Sequence, residues 1–155
     1  MTLEEAIRTA IDYEHEIRQV YAEALEKTKD PVGKRIFQTL RDDEQSHIDY
    51  LERKLAEWRA TGRITLEALT TSVPARDAIE RNLGKLEPRL TVDDRGDEKQ
   101  MLSKALNVEV ETSQFYRRMV DTLNEEGREL FAHFLDIENR HIDAVQAELD
   151  YVSRT

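Results

Sequence analysis

Glu44-Gln45-Ser46-His47-Ile48-Asp49 and, 94 residues further along the chain, Glu138-Asn139-Arg140-His141-Ile142-Asp143 are two copies of one short phrase. In each, a glutamate precedes a histidine by three positions, so on a helix the two side chains project from one face. That face is apolar: Leu40, Ile48 and Leu51 flank the first pair, and Phe134, Ile142 and Val145 flank the second. Both pairs therefore point into a helical core.

Working outward, each phrase lies about thirty residues after another core-facing glutamate. Glu14 sits between Ala10 and Ile17, and Glu109 lies beside Ala105 and the Thr112/Tyr116 positions. Ala10 through Tyr21 repeats as Ala105 through Tyr116, so the two halves of the chain are related and predict a bundle with a pseudo-twofold axis. Thr2 and Glu5 form a capping box that opens a first helix over about 3–29, and Asp30-Pro31 opens a second that ends near Gly62. The short link between them requires antiparallel neighbours. From Arg63 to Gly96 the periodicity weakens, with Pro74, Gly84, Pro88 and the turn-rich Asp93-Asp94-Arg95-Gly96. A short helix around Arg76 to Asn82 fits this stretch, and about thirty residues at about 3 Å each span a helix about 40 Å long. Beyond it, Leu102, Ala105, Tyr116, Val120 and Leu123 mark a third long helix, and Phe131, Phe134, Ile142, Val145 and Leu149 a fourth, with Asn124 to Gly127 between them. The expectation is an all-α four-helix bundle in a single domain, 1–155: a hairpin over 3–60, a crossover over 63–96 and a hairpin over 97–152.

The bundle interior then receives Glu14, Glu44, His47, Glu109, Glu138 and His141. Buried carboxylates without counter-charge are prohibitively costly, and the ligand faces carry no lysine or arginine. Two divalent cations neutralise four glutamates. An oxygen-rich, imidazole-supplemented set suits iron first, with manganese or a mixed pair also compatible, whereas structural zinc favours thiolates or one closed tetrahedron. One glutamate from each of two helices plus Glu-x-x-His from each of the other two is the known plan of ferritin-like di-metal proteins.

Composition narrows the field further. The chain of 155 residues has a formal net charge of −10 with its basic residues interspersed among acids, which argues against a nucleic-acid partner. It has no cysteine, so disulfides, thiolate catalysis and iron–sulfur or rubredoxin-type centres are excluded. No apolar run approaches a membrane span, and the N-terminus shows no secretory pattern, so a cytoplasmic location is expected.

Glu14 with Tyr21, Glu44-Gln45-Ser46-His47, Glu109 with Tyr116, and Glu138-Asn139-Arg140-His141 together resemble the rubrerythrin di-iron domain of the ferritin-like superfamily, over nearly the whole chain. The resemblance implies that Glu44 and Glu138 bridge two irons, that Glu14 and His47 complete one iron, and that Glu109 and His141 complete the other. It also implies that Tyr21 and Tyr116 donate hydrogen bonds to the terminal carboxylates. The implied activity is reduction of hydrogen peroxide, or dioxygen, in a homodimer. Two departures stand out. Thr112 occupies the place of a further glutamate that rubrerythrins associate with a redox-linked ligand shift, and no rubredoxin domain follows, so an external electron donor such as a rubredoxin is expected. Bacterioferritins share the six ligands, but Gln45 replaces their haem-ligating methionine, and no haem is expected.

The other readings are a ferroxidase or iron-handling protein and a metal-free helical scaffold. With Thr155 directly after the last helix, no fifth helix for cage assembly is expected. His15 and His133 read as surface histidines, and Tyr13, Tyr50 and Trp58 as packing or dimer-contact residues. Glu4-Glu5, Asp42-Asp43 and Glu125-Glu126 read as solvated or helix N-terminal charges.

Overall fold

The computed structural model describes residues 1–67, 69–83 and 92–153. The described elements are helices: α1 (Leu3–Lys27), α2 (Pro31–Thr61), α3 (Arg76–Leu83), α4 (Val92–Thr122) and α5 (Glu125–Val152). Helix α1 opens on the capping box of Thr2 and Glu5, each side chain bonded to the other's backbone N–H. Helix α2 opens on Asp30, whose carboxylate accepts from the Val32 N–H at 3.2 Å, with Pro31 in the first turn. It stops at Gly62, whose left-handed backbone (φ 73°) favours a residue without a Cβ. Three residues, 28–30, join α1 to α2, and the pair packs as a hairpin. Helices α4 and α5 form the second hairpin, α1 lies against α4, and α3 lies on α5. This is the ferritin-like four-helix arrangement, with the crossover between the two hairpins.

Two boundaries differ from the sequence reading. Asp93-Asp94-Arg95-Gly96 is not a turn but the start of α4, which begins at Val92. Acids in a first turn favour the helix N-terminus, and Gly96 inside a helix is tolerated at a modest loss. The break expected over Asn124 to Gly127 narrows to Leu123-Asn124, because Gly127 is already helical in α5. There a Cβ would lie 3.2 Å from both Leu123 and Leu3, so the glycine serves close packing at the hairpin end. Gly84 and Pro88 lie outside the described residues.

The core is split. One apolar cluster gathers Ile17, Tyr21, Phe37, Leu40, Leu102, Ala105 and Val145, and the other gathers Ile7, Ala10, Leu51, Phe115, Tyr116, Phe131 and Phe134. On every long helix the glutamates of interest fall between the residues of these two clusters. A polar layer is thus sealed above and below by packed hydrocarbon.

Gly33 leaves room for a side chain from another helix. A Cβ there would collide with the Glu98 carboxylate of α4 and stand 3.1 Å from Thr28 Oγ1. Gly96, by contrast, has nothing within 4 Å of a Cβ. Replacing a mid-helix glycine by alanine ordinarily adds up to about 1 kcal/mol. Gly96→Ala is expected to stabilise by that order in urea denaturation, whereas Gly33→Ala lowers the midpoint. Stabilisation by Gly33→Ala would contradict the packing described.

Candidate metal centre

All six candidate ligands meet in the layer between the two apolar clusters. Glu14 comes from α1, Glu44 and His47 from α2, Glu109 from α4, and Glu138 and His141 from α5, and none is more than 1% exposed. Their ligand atoms form two overlapping groups, Glu14/Glu44/His47 and Glu44/Glu109/Glu138/His141, within each of which the atoms lie within 4.8 Å of one another. Glu44 belongs to both groups.

Two tyrosines cross between the hairpins. Tyr21 on α1 donates to Glu109 Oε1 on α4 at 2.6 Å, and Tyr116 on α4 donates to Glu14 Oε1 on α1 at 2.7 Å. Each bond takes one oxygen of its carboxylate and turns the other inward. Burial first, then the neighbouring glutamates, pushes both phenols well above their usual range, so they stay protonated donors.

The histidines are oriented by their outer nitrogens. His47 Nε2 lies 3.0 Å from the Thr70 carbonyl and donates to it. His141 Nε2 donates to Asp43 Oδ2 at 2.6 Å, while its Nδ1 faces Glu44 Oε1 at 2.7 Å, Glu109 at 3.7 Å and Glu138 at 3.9 Å. A histidine held by a carboxylate or carbonyl on one nitrogen presents the other to a metal.

With every carboxylate ionised, Glu14 Oε2, Glu44 Oε2, Glu109 Oε2 and Glu138 Oε2 are buried and have no hydrogen-bond donor. Four such oxygens, one per glutamate, converging with two imidazoles form a set of donors that could hold metal. Protons compete for it in the metal-free chain. Burial, then Glu14, holds the Glu44 carboxyl well above the usual range, and burial, then Glu109, does the same for Glu138. Burial works against ionisation of Glu109 too, but hydrogen bonds from Glu138 and His141 outweigh it and hold that group low. His141 is raised: burial opposes its charge, and the bond to Asp43 and the surrounding glutamates prevail.

Several residues here escaped the sequence reading. Asp43, expected among solvated acids, is only 5% exposed and grips His141. Its carboxyl falls to about 2: burial opposes the fall, and the hydrogen bond from His141 leads the causes that produce it. The signal was present, since Leu40, Asp43 and His47 follow one another by three and four positions. Lys54, 1% exposed, reaches Glu57 and Glu67 at 3.1 and 3.0 Å, away from the ligand layer. His133, read as a surface residue, is half-buried, whereas His15 is exposed. Tyr13 packs against Phe115 with ring centroids 5.1 Å apart and planes tilted by 33°, Tyr50 is buried and Trp58 half-buried. Thr112, one turn after Glu109, is fully buried and donates to the Val108 carbonyl at 2.8 Å, adding no charge to the layer. At one end of the bundle Asp30, Glu98 and Glu148 form another buried acidic group, with Thr28 donating to Glu98 at 2.7 Å.

Fold and site together define a ferritin-like bundle with a carboxylate–histidine layer able to hold metal. The rubrerythrin family model matches residues 1–55, the span of α1 and most of α2 that carries Glu14, Glu44 and His47, and over that span the chain is similar to rubrerythrins. A comparison with curated proteins gives no match. A solved structure of a hypothetical protein from Pyrococcus furiosus shares the fold, with a TM-score of 0.69 and 20% identity over 98% of this chain and 90% of that one. Among the described residues, no helix is long and apolar enough to cross a membrane.

These proton affinities fix a pH dependence. Folded Glu44 and Glu138 keep protons that the unfolded chain releases above 4.5, and His141 keeps one that it releases above 6.5. The folded state therefore binds more protons, and metal-free stability falls as pH rises. Asp43 acts oppositely, contributing stability above 3.8 that is lost as pH falls toward about 2. The metal-free melting temperature is expected to decline from about pH 5 to about pH 8, while stabilisation by added ferrous ion grows over the same range because protons and metal compete. A metal-free melting temperature that climbs steadily across that window would contradict the assignment.

Proposed function

We propose that this chain is a di-iron oxidoreductase that reduces hydrogen peroxide, or dioxygen, with electrons from a separate protein donor such as a rubredoxin. The observation that carries the reading is the convergence, in one sealed layer, of two oriented imidazoles and four glutamate oxygens that have no donor when the carboxylates are ionised. A metal-free scaffold would keep that layer only at a large desolvation cost. Two ferrous ions, when bound, would supply the two electrons that convert one peroxide and two protons into two waters.

The chain's own groups have separable tasks. Glu44, common to both ligand groups, and Glu138, its counterpart on α5, are the bridging carboxylates in this reading. Glu14 and Glu109 are terminal, each held by a tyrosine from the opposite hairpin. Glu44 and Glu138 give up their protons as metal enters. The two apolar clusters exclude bulk water. Since Thr112 spends its hydroxyl on a backbone carbonyl, no further glutamate stands one turn beyond Glu109 to exchange as a ligand, and the reading assigns this chain a fixed ligand set. The reading includes a cytoplasmic homodimer and no haem.

Anaerobically loaded ferrous protein mixed with peroxide should oxidise faster than free ferrous ion, as followed by stopped-flow absorbance. Glu138→Ala should lose two-metal binding and this reaction, while Glu14→Ala should weaken one metal and leave the other partly bound. Oxidation no faster than that of free ferrous ion overturns the proposal, and a cage-sized assembly that stores iron would favour a ferroxidase instead.

A further inference from the structure

Asp43, His47, Tyr50 and Lys54 lie four, three and four positions apart and form one stripe of α2, and all four hold the crossover. Lys54 Nζ donates to Glu67 Oε1 at 3.0 Å, Tyr50 Oη to the Glu67 carbonyl at 3.4 Å, and His47 Nε2 to the Thr70 carbonyl at 3.0 Å. Asp43 closes the series. Its Oδ2 accepts from Thr71 Oγ1 at 2.6 Å, and its Oδ1 accepts from the Ser72 N–H at 3.1 Å and Ser72 Oγ at 3.3 Å. Thr71 Oγ1 in turn accepts from the Val73 N–H at 3.1 Å. The same Asp43 Oδ2 takes the His141 Nε2 proton at 2.6 Å. Two of the four ties thus run through the imidazoles of the candidate centre, one from each hairpin.

The strap, residues 69–73, lies between open clefts. Two clefts flank it and share Leu69 and Thr70: one reaches Ser46, next to His47 in sequence, and the other reaches Arg140, next to His141.

We propose that Asp43 is a positioning residue that holds His141 with Nδ1 turned toward the glutamates and ties that ring to residues 69–73, so that metal loading and ordering of the crossover are linked. The inference rests on the metal-binding reading above. An oxygen of Asp43 bonded at once to His141 and Thr71 cannot shift for one without shifting for the other. A metal that fixes the ring therefore fixes the strap, and by reciprocity an ordered strap favours the metal.

Amide hydrogen exchange at Ser72 and Val73, together with stepwise anaerobic titration of ferrous ion, tests this on the full chain. In the wild type, ferrous loading should slow exchange at these two amides on the order of tenfold. Asp43→Asn should speed their exchange in the metal-free chain and remove the slowing on loading. It should also weaken the ferrous ion beside His141 by about 10–100-fold and the ion beside His47 less, altering one Mössbauer doublet more than the other, an asymmetry that a general loss of stability would not give. If Asp43→Asn does not fold, Thr71→Val, which alters only the strap side of the joint, should likewise abolish the loading-dependent protection. Wild-type exchange and wild-type affinity in either folded variant overturn the inference while leaving the metal centre standing. A wild-type chain that takes up no ferrous ion overturns the proposed function, and the linkage falls with it.

Discussion

Four glutamates packed between two apolar clusters carry a desolvation penalty that positive charge has to offset, and the rest of the bundle is arranged around how that happens. In the metal-free chain, protons on Glu44 and Glu138 and the charge on His141 supply part of it. Divalent cations would supply it more completely, because one ion satisfies several converging oxygens at once while a proton satisfies two. The same burial that makes the layer costly keeps it dry, which strengthens every electrostatic interaction inside it.

The two-hairpin plan serves that layer directly. Each hairpin brings one lone glutamate and one Glu-x-x-His pair, and each sends a tyrosine across to hold the other's lone glutamate. Neither hairpin completes the layer alone. The crossover, whose only topological duty is to join the hairpins, is also fastened to the centre's two histidines through Thr70 and Asp43. Residues far apart in the chain thereby depend on one small volume.

Much of this was legible in the sequence because the decisive signal is periodic. A Glu-x-x-His step aligned with Leu40, Ile48 and Leu51 has one helical face to occupy, and its recurrence at Glu138 and His141 leaves little freedom in the fold. What escaped depends on partners distant in sequence. Asp43 reads as one half of an acidic pair until His141 and Thr71 are brought beside it. Lys54 looks like a surface lysine until Glu67 returns along α2. The boundary at Val92 escaped because Asp93, Asp94 and Gly96 favour turns and helix starts alike, and only the packing of the following helix selects between them. Gly127 misled for a similar reason: it signals a break locally, yet it is there so that Leu3 and Leu123 can approach.

The central claim is that the six residues hold two metal ions. Crystals of anaerobically iron-loaded protein, measured at the iron absorption edge, test it most directly. The account predicts two anomalous peaks about 3.5–4 Å apart, one beside Glu14 and His47, the other beside Glu109 and His141, with Glu44 and Glu138 between them. A single peak, or none within this layer, would contradict it.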